Sequence, residues 1–246
     1  VEGLERYAVV SCHVERPLDD RIWAAFERLL VARPAGFVVT PFVRPPHAGS
    51  GEDEGRWLER VRRIAGLAPL GHHTHWGGPS QARPPAGVDA SAVVAAEAEW
   101  WRSHDLEPRY FCGGGWYLDV PVAETLAAFG YADCTATTFR QSYLDERAPR
   151  LQVDGPARLV LPSGAILPEL PATHSLGMLG RGLPGLRGTV HVHFHDWELV
   201  DRRRALALGA LLRVLRLRRR PLALDELARR AGDAPEIPFT PATIGS

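Results

Sequence analysis

Apolar and polar positions along the 246-residue chain alternate between two periods. Short apolar runs, YAVVSC (7–12), GFVVTPF (36–42) and RYFC (109–112), read as strands. The first is followed at helical spacing by Ile22, Trp23, Phe26, Leu29 and Leu30, the second by Trp57, Leu58, Val61 and Ile64. APLGHHTHW supplies another strand, ahead of a Pro/Gly-rich loop (77–87) and an Ala-rich helix ending near Trp101. VAETLAAF reads as a helix stopped by Gly130, and YADCT (131–135) as the next strand. From about 136 to 187 the alternation lapses. There ARLVLPSGAILPEL reads as a hairpin turning at Ser163-Gly164, and GMLGRGLPGLRG as a glycine-rich loop. TVHVHFHDW (189–197) is a clear strand, followed by a helix with Leu208, Leu211, Leu212 and Leu215 on one face and by a last helix, ALDELARRA. Repeated strand–helix units imply parallel strands with right-handed crossovers, in a barrel or an open doubly wound sheet. With no convincing linker, residues 1–246 are expected to form a single domain.

Composition narrows the classes. Hydrophobic residues make up 45% and charged residues 24%, and 29 basic residues, all arginine, balance 29 acidic ones. Such a balance exerts no general pull toward nucleic acid. The one basic run, RLRRRP (216–221), closes a helix, where cations complement the dipole. Cys12, Cys112 and Cys134 are too few and scattered for a disulfide framework or a CxxC zinc site. The opening VEGLERYAVVSCHVERP has no signal-peptide pattern, and no apolar run approaches the ~18 residues of a membrane span. The expectation is a cytoplasmic protein without nucleic-acid or membrane partners; nothing in the sequence sets its oligomeric state.

The histidines change the picture. Seven of the ten fall at three predicted strand ends: His13; His72, His73 and His75; His191, His193 and His195. Binding groups collect at the C-terminal ends of strands in α/β folds. Side chains alternate along a strand, so His191, His193 and His195 share a face opposite Val190, Val192 and Phe194. His13 pairs in this way with Glu15, and His73 with His75, while His72 points the other way. A solvated outer face would give the same alternation. Three polar strand ends aimed at one cavity favour a site, in which Glu15, His73 and His75 suffice to hold a divalent ion such as zinc. A further histidine would then shuttle the proton.

In order and spacing, five motifs resemble the NodB-homology polysaccharide deacetylases, carbohydrate esterase family 4: SCHVE, HTHWG, FCGGGWYLD, GYADCT and HFHDWEL, spanning roughly 13 to 199. The resemblance implies an α/β fold, a distorted (β/α) barrel of about seven parallel strands. It also implies a metal-dependent deacetylase acting on an amino sugar or glycan-like substrate. Glu15 matches the metal-binding acid, His73 the first metal histidine, Thr74 its hydroxyl neighbour and His195 the general acid. Trp76, Trp116, Asp133, His193 and Trp197 are expected to line the substrate site. Three positions depart from the family pattern. His13 stands where the base is an acid, Gly77 where the second metal histidine falls, and Cys112 where the third motif carries arginine. His75, on the same face as His73, is the expected replacement ligand, and His13 the expected base or ligand. Glu169 and Asp119 are candidates for supporting roles. The glycines 113–115 permit close backbone approach but form no P-loop, since no lysine follows. Two other functions fit: a glycan-binding barrel that has lost catalysis, and a hydrolase of another C–N bond such as a cyclic amide.

Overall fold

The computed structural model of the chain describes residues 6–140 and 150–240. In chain order they form β1 (Tyr7–Val14), α1 (Asp20–Ala32), β2 (Val39–Val43), α2 (Glu54–Ala65), β3 (Gly71–Thr74), α3 (Ala90–Ser103), β4 (Tyr110–Gly113), α4 (Val120–Phe129) and β5 (Ala132–Asp133). Then follow β6 (Ala157–Val160), β7 (Ile166–Glu169), β8 (His174–Ser175), α5 (Leu176–Gly182), β9 (Val190–His195), α6 (Arg202–Arg218), β10 (Arg220–Pro221), α7 (Leu224–Arg230) and β11 (Glu236–Pro238). Aspartates 19, 53, 89, 119 and 201 cap α1, α2, α3, α4 and α6, each accepting backbone N–H groups of the first turn.

The strands hydrogen-bond in the order β11-β6-β7-β5-β4-β3-β2-β1-β9-β8, with β10 beside β1, and the β6–β7 hairpin is the antiparallel pair. Its turn places Gly164 at φ +87°, a conformation that suits glycine. One stretch, residues 169–175, bonds to both ends of the parallel run. On one side Leu170 N donates to Asp133 O at 2.8 Å and Ala172 N to Ala136 O at 2.9 Å; on the other Thr173 N donates to His191 O at 2.9 Å. This stretch draws β1 to β5 and β9 round into a distorted (β/α) barrel.

The alternation in TVHVHFHDW now has a cause. Val190, Val192 and Phe194 pack outward with Phe26 of α1 and with Leu208, Leu212 and Leu215 of α6, and the histidines face the interior. Inside, Val9, Phe42, Tyr110, Cys112, Cys134 and Leu170 form the barrel core, and Leu224 and Leu227 of α7, with Ala231 just after it, close its lower end. The glycine-rich loop expected over GMLGRG is instead the helix α5. Ser175 caps it by accepting from Met178 N, and Leu176 and Leu179, one turn apart, are buried. Tertiary packing outweighs the ~1 kcal/mol that each interior glycine costs a helix.

Candidate active site

Parallel register sets the site. On β1 and β9, His13 pairs with His195 and Ser11 with His193, while on β3 and β4 His73 pairs with Cys112. Barrel curvature then brings β3 against β1, with the rings of His13 and His73 stacked 4.6 Å apart. A cavity of about 200 Å³ opens above them, lined by His13, Glu15, His73, His75, Trp116 and His193, with His195 at its edge.

Glu15 is the centre of this cluster. Its Oε1 lies 3.6 Å from His75 Nε2, 3.6 Å from His195 Nε2 and 4.0 Å from His73 Nε2. His73 Nδ1–H donates to the carbonyl of Cys112 at 2.7 Å, and His75 Nδ1–H to that of Pro79 at 2.8 Å. A carbonyl can only accept, so each neutral ring carries its proton on Nδ1 and turns the lone pair of Nε2 toward Glu15. His75 Nε2 is buried without a hydrogen-bond partner among the described residues. Outer N–H groups fixed on carbonyls, with inner lone pairs converging beside a carboxylate, are the arrangement of metal-binding histidines. The donor atoms of Glu15, His73 and His75 all lie within 4.8 Å of one another, and this set fits a divalent ion.

Electrostatics separates the remaining groups. Burial opposes ionisation of Glu15, but the facing His75, His195 and His73 favour its carboxylate whenever they carry a proton on Nε2, and its carboxyl is held at about 2. Burial takes His73 down to about 3 and His193 to about 3. Burial, helped by His73, His195 and His193, pushes His13 well below the ordinary histidine range. His195 moves the other way: burial again opposes, but Glu198, Glu15 and Asp196 raise it. Glu198 is fixed by Arg204 at 2.6 Å and accepts the backbone N–H of His195 at 2.9 Å. Sequence reasoning gave Glu198 no role. Its signal was the i, i+3 spacing from His195, which becomes a contact through the 3-10 turn 196–200.

The expected substrate-lining residues divide. Trp116 and His193 line the cavity, their rings meeting edge-on at 4.8 Å. Trp197 stacks on His195 at 5.4 Å, beneath the Arg204 guanidinium. The structure places Trp76 and Asp133 elsewhere. Trp76 is 3% exposed, packs in the apolar core with Val94 and Leu118, and donates from Nε1 to Gly114 O. Asp133 is fully buried, bound by Thr135 Oγ1, which in turn accepts Gly113 N. Both brace the 113–116 turn from behind. Asp119, a candidate for support, caps α4 and accepts the Tyr117 hydroxyl. His72 points outward to Glu97 at 2.7 Å, among Trp101, Phe111 and Tyr131.

The braced turn holds Trp116 at φ +59°, a strained value for a bulky residue. It also passes so close to β3 that a Cβ on Gly114 would sit 2.4 Å from Thr74 O and 2.6 Å from Ala82 O. Gly114→Ala is therefore expected to destabilise the protein by about 1–3 kcal/mol, measured by urea unfolding. An unchanged midpoint would mean that the turn yields freely.

Asp133 also faces Glu169, which is buried alongside it. Burial and the neighbouring Asp133 push the Glu169 carboxyl well above its usual range, so it keeps its proton. A carboxyl raised by folding holds a proton that the unfolded chain releases, so its contribution falls as pH rises from the ordinary carboxylate range toward the raised value. Glu169→Gln should accordingly narrow the difference in Tm between pH 5 and pH 8, the gain falling at pH 8. Parallel shifts at both pH values would refute the assignment.

No protein-family model matches the chain, and a search of curated proteins found no match. Solved structures do match. A 4-alpha-glucanotransferase from Thermococcus litoralis superposes with a TM-score of 0.60 at 10% identity over 96% of this chain, which spans 42% of that protein's length. A GH57 branching enzyme from Thermococcus kodakaraensis gives 0.58 at 11% identity, covering 96% of this chain and 73% of the other. A family 4 carbohydrate esterase from Streptomyces lividans, solved with acetate, gives 0.47 at 14% identity, covering 85% and 87%. At these identities the two Thermococcus structures establish a shared fold. Among the described residues, no helix is long and apolar enough to cross a membrane.

Proposed function

We propose that the chain is a metal-dependent hydrolase that removes an acyl group, acetyl foremost, from an amino sugar or glycan-like substrate. The observation that carries this reading is the paired orientation of His73 and His75, whose Nε2 lone pairs both face Glu15. These three residues would hold the ion, zinc being suited to the donor set. When bound, it would supply Lewis-acid polarisation of the acyl carbonyl.

The protein's own groups divide the proton work. His13, held neutral, is fit to take a proton from the attacking water, and His195, its pKa raised, to give one to the departing amine. Environments that push two titratable groups apart are the signature of such a division. Trp116 and His193 wall the cavity beside them, and Trp197 keeps the His195 ring in place. Hydrolysis of a glycosidic bond needs two available carboxyl groups flanking it. Among the described residues beside Glu15, Asp196 is fully buried and Glu198 is committed to Arg204 and His195, which favours the amide or ester route.

The test is elemental analysis of the purified protein together with acetate release from N-acetylglucosamine oligomers. About one divalent ion per chain and chelator-sensitive release of acetate are expected. Sugar binding with neither ion nor acetate would favour the non-catalytic glycan-binding barrel. Release from cyclic amides alone would keep the chemistry and change the substrate.

A further inference from the structure

Two of the departures from the deacetylase motifs lie together in space. The resemblance places an acid at His13 and an arginine at Cys112; here an imidazole and a thiol stand there instead. The donor atoms of His13, His73 and Cys112 all lie within 4.8 Å of one another, and all three residues are buried. A guanidinium at this place would repel a cation, whereas a thiol and two imidazoles are ligands for one. We propose that His13, His73 and Cys112 form a second, inner metal seat, selective for a soft thiophilic ion and sharing His73 with the outer set of Glu15, His73 and His75.

Chemistry separates the two seats. The outer set offers a carboxylate oxygen and suits harder ions. The inner set offers sulfur, and thiolate ligation favours the softest ions, such as Cu(I) and Cd2+. Metal–nitrogen and metal–sulfur bonds of ~2.0–2.3 Å require the inner donors to draw together by roughly 1 Å, a side-chain movement at the floor of the open cavity. On binding, the sulfur–metal bond forms as the thiol proton leaves to the buffer. His73 turns a single lone pair inward, so the two seats exclude each other, and a soft ion in the inner one displaces the ion of the outer one.

The experiment is a titration of chelator-treated protein with Cd2+, followed by the near-ultraviolet thiolate-to-cadmium absorption band. A band saturating at one cadmium per chain is expected in the wild type. It should persist in Glu15→Gln and vanish in both Cys112→Ser and Cys112→Ala. Cadmium binding without the band in the wild type would overturn the inner seat, independently of how either cysteine variant folds. A band that survives removal of Cys112 would overturn it too, pointing to Cys12 or Cys134. Failure of the hydrolase reading is distinct: the inner seat predicts the band whether or not acetate is released.

Discussion

His73→Ala is expected to leave the purified protein without its divalent ion and its hydrolysis at background. His73 supplies one of three donors around Glu15, and its Nδ1–H is already committed to Cys112 O. Changing residues that merely orient a ligand costs about 10–100-fold in metal affinity, so losing the ligand itself should cost at least about 100-fold. The control is its neighbour. His72→Ala removes an outward histidine packed against Trp101 and Phe111, and should lower stability while leaving metal content intact. Elemental analysis of both variants, with circular dichroism to confirm folding, decides the matter. Full metal content in His73→Ala would refute the site.

His195→Ala should lower kcat by about 10²–10⁴, the usual worth of a general acid, with metal content unchanged. The pH profile carries the sharper test. As the proposed general acid His195 would act protonated, and its pKa is raised, so activity should be lost as pH rises through a value above that of an ordinary histidine. Glu198→Gln removes the carboxylate that does most to raise it and should move this alkaline limb to lower pH. On the acid side, burial holds His13 and His73 below the ordinary histidine range. Measuring kcat/KM against pH for both proteins reports these limbs in the free enzyme. An unmoved alkaline limb in Glu198→Gln would show that another group sets it.

Side-chain parity made much of this legible. The alternation of Val190, Val192 and Phe194 with His191, His193 and His195 separated the helix-facing side of β9 from the interior, and the alternation in GHHTH separated His72 from His73 and His75. The same parity bears on Asp133: it stands in register with Phe111 and, through it, with the outward His72, so its carboxyl lies behind the strands while Cys134 faces the interior. Trp76 was read as the next residue toward the substrate. The backbone instead turns back just beyond β3, Trp76 N donating to Gln81 O, and carries the indole out to the core. The i, i+3 spacing of His195 and Glu198 became a partnership only through a 3-10 turn, and the helix over GMLGRG depended on tertiary burial of its leucines.

The carbonyls of Cys112 and Pro79, which fix the tautomers of His73 and His75, belong to the main chain. A side-chain partner could be erased by one codon change, but a peptide oxygen survives every substitution that preserves the backbone path. The orientation of these two histidines is thus inherited with the fold and is insulated from drift in the surrounding residues. Redesign can follow the same division: on the proposed metal sites, exchanging Glu15, His13 or Cys112 would retune ion preference, while the two histidines keep their aim.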